Sequence, residues 1–212
     1  MANYCSNVIV FYGRLKKDLE IIMRNINSCL ENPEKNSVRN FLKISGCDND
    51  MIIEMADLRD YFTDCDLKVS RNKECGWYFH CATESAWTPN MECFKKLLKD
   101  VYDEKVKMVF QSEEPGCGIF VNSDKQSLFF TERFRVHGYY KGDYTTKYFD
   151  RWNDAVKFLQ DWFPKARINC FNGIMEAKRK IEKAYRFNDK KPDYVCIDYF
   201  ENDDEEEGGL AA

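Results

Sequence analysis

The stretch from Trp77 to Val121 constrains the fold more than any other part of the chain. It runs from an apolar segment through a helix start and an amphipathic helix to a second apolar segment, then through a Gly/Pro turn into a third. Gly76 to Thr83 is apolar and long enough for a strand. Thr88-Pro89 is a helix-start signal, a capping hydroxyl followed by a proline whose missing N–H costs nothing in a first turn. Phe94, Leu97, Leu98, Val101 and Tyr102 then share one helical face, with Lys95, Lys96, Lys99 and Asp100 largely opposite. Val106 to Phe110 alternates as the next strand.

Upstream, Val8 to Tyr12 is a β-branched and aromatic run stopped by Gly13, and Leu15, Leu19, Ile22, Met23, Ile26 and Leu30 recur at helical spacing up to Asn32-Pro33. Residues 34–66 read as a helical insertion, with Val38, Phe41, Leu42 and Ile44 in one piece and Ile52, Ile53, Met55, Leu58, Tyr61 and Phe62 in a second. Leu67-Lys68-Val69 is a brief strand before an Arg71–Glu74 turn. The resulting order, β-α-β-β-α-β, predicts an α+β fold with a ferredoxin-like split β-α-β core.

Charge and cysteine content narrow the function classes. The chain of 212 residues carries 32 bases and 36 acids, and six of those acids lie between Glu201 and Glu207. The remaining 30 acids leave the body at +2 against its 32 bases, which is no strong nucleic-acid footprint. Ten cysteines occur without a C-x-x-C, and no Cys/His spacing matches a zinc site, so reduced, mostly buried thiols are expected. Neither a signal-peptide pattern nor an apolar run of ~18 residues is present, which predicts a cytoplasmic location and no membrane span. No cofactor or metal site is expected, and no phosphate-binding or nucleophile-elbow motif occurs.

The opening M-A-N-Y-C-S-N-V-I-V-F-Y-G, the A-T-E-S-A-W-T-P before a helix, and the strand entering S-E-E-P-G-C-G-I-F-V together resemble the YubB ferredoxin-like domain family. The resemblance covers residues 1–123. It implies a ferredoxin-like fold, a phage, plasmid or other mobile-element context, and no established enzymatic activity. The chain departs from the family where relatives carry a W-G-x-x-W strand, since Asp66-Leu67-Lys68-Val69-Ser70 stands there.

Residues 124–187 are expected to add strands and helices that extend and cover the first sheet, a separate small domain being the alternative. Ser127–Phe130, Phe134–Val136 and Thr145–Phe149 read as strands, Lys141–Tyr144 as a turn. Asp150 is placed to cap a helix bearing Trp152, Ala155, Phe158, Leu159 and Trp162. A further helix, Gly173 to Phe187, carries Ile174, Ala177, Ile181, Ala184 and Tyr185 inward. Residues 188–212 read as an acidic, flexible tail.

Four features invite a functional reading. Trp87, at a strand-to-helix corner, is a candidate ligand-facing aromatic, although a buried core anchor explains a tryptophan there more cheaply. Glu113 and Glu114 could act as an acid–base pair, but neighbours on a strand point to opposite faces and Pro115-Gly116 already accounts for a turn. His80 beside Cys81, with His137 elsewhere, is a nucleophile–base candidate that faces the same objection. Lys178, Arg179, Lys183 and Arg186 make the last helix basic, near Tyr185 and Phe187, as a nucleic-acid surface or a solvated face. The expectation is a non-enzymatic binding protein with a protein partner. A nucleic-acid module using residues 178–191 and a small hydrolase or transferase using Glu113, Glu114 or Cys/His are the rivals.

Overall fold

The computed structural model describes residues 4–56, 59–187 and 193–202. The chain is an α+β protein of two compact units, residues 1–124 and 125–212.

In the first unit β1 (Tyr4–Gly13) leads to α1 (Lys16–Leu30), α2 (Val38–Ile44), α3 (Asp50–Met55), β2 (Tyr61–Cys65), β3 (Ser70–Asn72) and β4 (Gly76–Ala86). Then follow α4 (Glu92–Tyr102), β5 (Val106–Glu114) and β6 (Ile119–Asn122). The sheet order is β2-β4-β1-β5-β6, with β3 also on β4, and each pair is antiparallel. β4 therefore lies between the parallel strands β1 and β2, and β1 between β4 and β5. These are two interlocked split β-α-β units, with β2 (Tyr61–Cys65) in place of the Leu67–Val69 strand expected from the sequence.

Register explains the core. Ile9 faces Cys81 and Phe110, and Phe11 faces Phe79, so alternate residues of the three central strands meet the helices. α1 buries Leu19, Ile22, Ile26 and Cys29, and α4 buries Cys93, Phe94, Leu97 and Leu98. The insertion adds Val38, Phe41, Leu42, Ile52 and Ile53 to the same core. Its two short helices are capped by side chains, Ser37 accepting from the Asn40 N–H and Asn49 from the Met51 N–H.

Local reading failed at several places here: Arg71 and Asn72, read as a turn, lie in β3, and Leu15 and Ile44 are exposed. Tyr61 and Phe62 belong to β2 rather than to a helix, because pairing with β4 and burial of Phe62 against Phe41 outweigh a short helical pattern. Leu67–Val69 is not a strand, and Leu67 is exposed. The helix expected at Thr88-Pro89 begins only at Glu92, and Val101 is exposed. The Asn90 amide donates to the Met55 carbonyl at 2.5 Å and to Asp60 at 2.7 Å, which holds the preceding residues outside the helix.

The second unit has β7 (Phe134–Tyr140), β8 (Asp143–Phe149), α5 (Trp152–Trp162), α6 (Ile174–Tyr185) and β9 (Tyr194–Tyr199). Its strands form a separate sheet, β8-β7-β9, and do not lengthen the first one. Val136, Val195 and Ile197 pack with Ala155, Leu159, Phe163, Ala177 and Ile181 into an independent core. Ser127–Phe130 is not a strand, and Ala184 is exposed. Asp150 accepts from the Thr131 hydroxyl and leaves Arg151 as N-cap of α5, without a side-chain cap bond. Tyr194–Tyr199, read from the sequence as part of a flexible tail from residue 188, is instead β9, because Val195, Ile197 and Phe200 are buried there. Residues 188–192 and 203–212 lie outside the described residues. No helix among the described residues is long and apolar enough to cross a membrane.

All ten cysteines are free thiols, six of them buried. Burial, with smaller contributions from nearby carboxylates, holds Cys5, Cys65 and Cys93 up at about 12 against an ordinary 9.0. The folded state keeps these protons where the unfolded chain releases them. Stability present below pH 9 should therefore fall as pH rises from about 9 toward 12. Denaturant midpoints measured on either side of pH 9 should show the loss, and Cys93→Ala should reduce its slope.

Candidate functional site

Within the first unit the carboxylate, cysteine and histidine candidates do not converge. Glu114 is buried, its Oε1 accepting from the Gly116 N–H at 3.1 Å. Glu113 lies on the opposite face, paired with Ser6 and Phe120. His80 Nδ1 is 3.1 Å from Asp66 Oδ2 on the face away from the helices. Cys81 points into the core, where burial pushes its thiol well above the usual range. His137 belongs to the second unit.

Glu114 instead borders a buried polar network on the helix side of the first sheet. The Asn7 amide nitrogen donates to the Cys5 carbonyl and the Ser85 hydroxyl, both at 3.1 Å, and to the Thr83 hydroxyl at 3.3 Å. Its amide oxygen accepts from Ser112 Oγ at 2.6 Å. Side chains of β1, β4 and β5 are thereby tied together. This network sets register and presents nothing to a ligand, since Cys5, Asn7, Thr83, Ser85 and Ser112 are all buried.

Trp87 is 47% exposed and sits at φ +69°, so it is not the core anchor favoured from the sequence. The chain turns through a left-handed residue there, and the indole is left half in solvent.

The basic helix is divided. Arg179 and Lys183 are exposed one turn apart on α6, and Arg186, also exposed, is the left-handed residue that ends the helix. Lys178 is half-buried, and its charge acts on His137, Cys196 and Asp198. Lys180 is held by Asn172 at 2.9 Å and Glu176 at 3.6 Å.

The second sheet presents an end strand flanked by exposed tyrosines. Lys141 and Gly142 both have positive φ, 53° and 94°, which makes their two-residue loop a type I′ turn between β7 and β8. Pairing then runs without a bulge from Tyr140↔Asp143 to Phe134↔Phe149. The pair closing such a turn is hydrogen-bonded, so Asp143, Thr145, Lys147 and Phe149 direct their backbone groups to β7. The alternate residues Tyr144, Thr146 and Tyr148 direct theirs outward, because β8 is the end strand of its sheet. Consistent with this parity, the Phe200 N–H donates to the Arg133 carbonyl on the β9 side.

On the sheet face turned away from α5 and α6, the register produces three cross-strand rows. They are Tyr144–Tyr139–Tyr194, Thr146–His137–Cys196 and Tyr148–Arg135–Asp198. Tyr144, Tyr148 and Tyr194 are more than two-fifths exposed at 59%, 43% and 41%. His137 Nε2 lies 3.4 Å from Asp198 Oδ2. Burial, then Arg135, lowers the His137 pKa despite that carboxylate, and burial raises that of Asp198. Sequence reading found both strands and the turn but not the site. The visible signal was the alternation Y-T-T-K-Y after a Lys-Gly turn, with no proline and a single charge.

No family model, curated protein or solved structure matches the chain.

Proposed function

We propose that the protein is a non-enzymatic binding protein that receives an extended segment of a protein partner along β8. The observation carrying this reading is a regular seven-residue end strand, exposed along most of its length, with outward backbone groups at Tyr144, Thr146 and Tyr148. Such an edge is a template for strand addition, in which main-chain bonds supply affinity and alternating side chains select the sequence. The tyrosines beside it offer large contact area at low conformational cost. The separation of Glu113, Glu114, His80 and Cys81 within the first unit weighs against the hydrolase reading. A phage or mobile-element setting rests only on the resemblance of residues 1–123.

Thr146→Pro removes an outward N–H without touching the β7 ladder, so the fold should survive. Partners captured from cells by the wild-type chain should be lost by this variant at unchanged melting temperature. In the complex, amide exchange should slow at Tyr144, Thr146 and Tyr148 and change little at Thr145 and Lys147. Retention of the same partners by a folded Thr146→Pro protein would exclude the edge.

A nucleic-acid reading has one observation in its favour, the exposed Arg179 and Lys183 one turn apart on α6, preceded by the 79% exposed Met175. Affinity for DNA or RNA falling steeply with salt and abolished by Arg179→Glu/Lys183→Glu would replace the protein partner with nucleic acid.

A further inference from the structure

The first unit carries a cleft of about 560 Å³ where β1 ends and β5 begins. Its walls include Tyr12, Arg14, Cys75, Glu104, Lys105 and Lys107. We propose that this cleft binds a small phosphate-bearing molecule, independently of the β8 edge.

The backbone is held in unusual geometry to form it. A Cβ at Gly13 would come within 2.7 Å of the Lys105 carbonyl oxygen, and one at Gly76 within 2.6 Å of the Gly13 carbonyl oxygen. Gly76 also has φ +91°, so the strand ends meet there only because both residues lack side chains. Asp103 and Glu104 are consecutive left-handed residues at φ 48° and 57°, neither a glycine. Each costs about 1–2 kcal/mol in that conformation, and such outliers collect where a ligand site is held. The Glu104 N–H bonds the Leu98 carbonyl and the Lys105 N–H the Tyr102 carbonyl, which fixes the turn.

The charge selects the ligand. Three cations and one carboxylate line the cleft. Lys105 Nζ is held 2.8 Å from Asp103 Oδ2, whereas no ion pair to Arg14 or Lys107 occurs among the described residues. Lys107 pairs across the strands with Tyr12, so their side chains leave the sheet on the same face, and both line the cleft. A guanidinium with ammonium groups suits a dianionic phosphate better than a single carboxylate. The Tyr12 ring and the Leu15 side chain supply apolar wall for an organic portion, and the volume falls in the range of small-molecule sites.

Isothermal titration of the full chain at low salt with inorganic phosphate, pyrophosphate and adenosine monophosphate tests this. At least one probe should bind with one-to-one stoichiometry. Arg14→Gln/Lys107→Gln should weaken it by about tenfold or more, as loss of two charge-assisted contacts requires. Both positions are exposed, and the variant should melt like wild type. Arg179→Gln, in the second unit, should bind unchanged. Pyrophosphate matching the nucleotide would assign recognition to phosphate alone, and tighter nucleotide binding would add the organic portion. No heat from any probe up to about 10 mM, or equal affinity in the double variant, overturns the proposal.

Discussion

Replacing Gly138 with alanine should separate β9 from β7 and unfold the second unit locally. A Cβ at Gly138 would overlap the Tyr194 carbonyl oxygen, with the Val195 Cα and the Trp162 ring both at 3.1 Å. Two of these obstacles are backbone, which cannot rotate away as a flexible side chain would. Overpacking typically costs 1–3 kcal/mol, so about 3 kcal/mol or more is expected where backbone must move. Hydrogen exchange should show early loss of protection at Val195 and Ile197. The amides of Ile9 and Phe79, at the centre of the first sheet, should keep theirs. Wild-type protection across β9 in Gly138→Ala would mean that the strands do not approach so closely.

Phe94→Ala should have the largest effect in the first unit. Phe94 is 1% exposed, and its ring lies 5.8 Å from Phe41, 6.1 Å from Phe11 and 6.3 Å from Phe62. It is where the sheet, the inserted helix α2 and α4 meet. Truncation should cost roughly 3–5 kcal/mol, the transfer of the ring plus the cavity it leaves. That is a large share of the 5–15 kcal/mol typical of a domain. A denaturant melt should show the midpoint fall with little change in slope, and Phe94→Leu should recover most of it. A loss below about 1 kcal/mol would show that this cluster does not hold the insertion to the core.

Strong local patterns survived into the structure. The stretch from Trp77 to Val121 does contain a strand, a helix and two further strands. The weak patterns did not survive. Tyr61 and Phe62 carry too short a periodicity to choose between helix and strand, and pairing with β4 chose. Trp87 looked like a core residue because large aromatics usually are, yet its left-handed backbone leaves it half in solvent. The site was less legible than the fold. Glu113, Glu114, Lys178 and Arg186 were visible as residue types, but which of them share a face depends on pairing and helix rotation.

By itself the sequence determined where the chain could be helix or strand, which faces had to be buried, and that Lys141-Gly142 would turn the chain. Those properties arise from neighbours a few residues apart and so can be read locally. Only the tertiary structure decided that Phe134 onward starts a second sheet, that β8 ends it, and that Arg14 meets Lys105 and Lys107 around one cleft. An end strand and a central strand can carry the same alternation. What distinguishes them is whether another strand takes their outward backbone hydrogen bonds, and that is settled by segments distant in sequence.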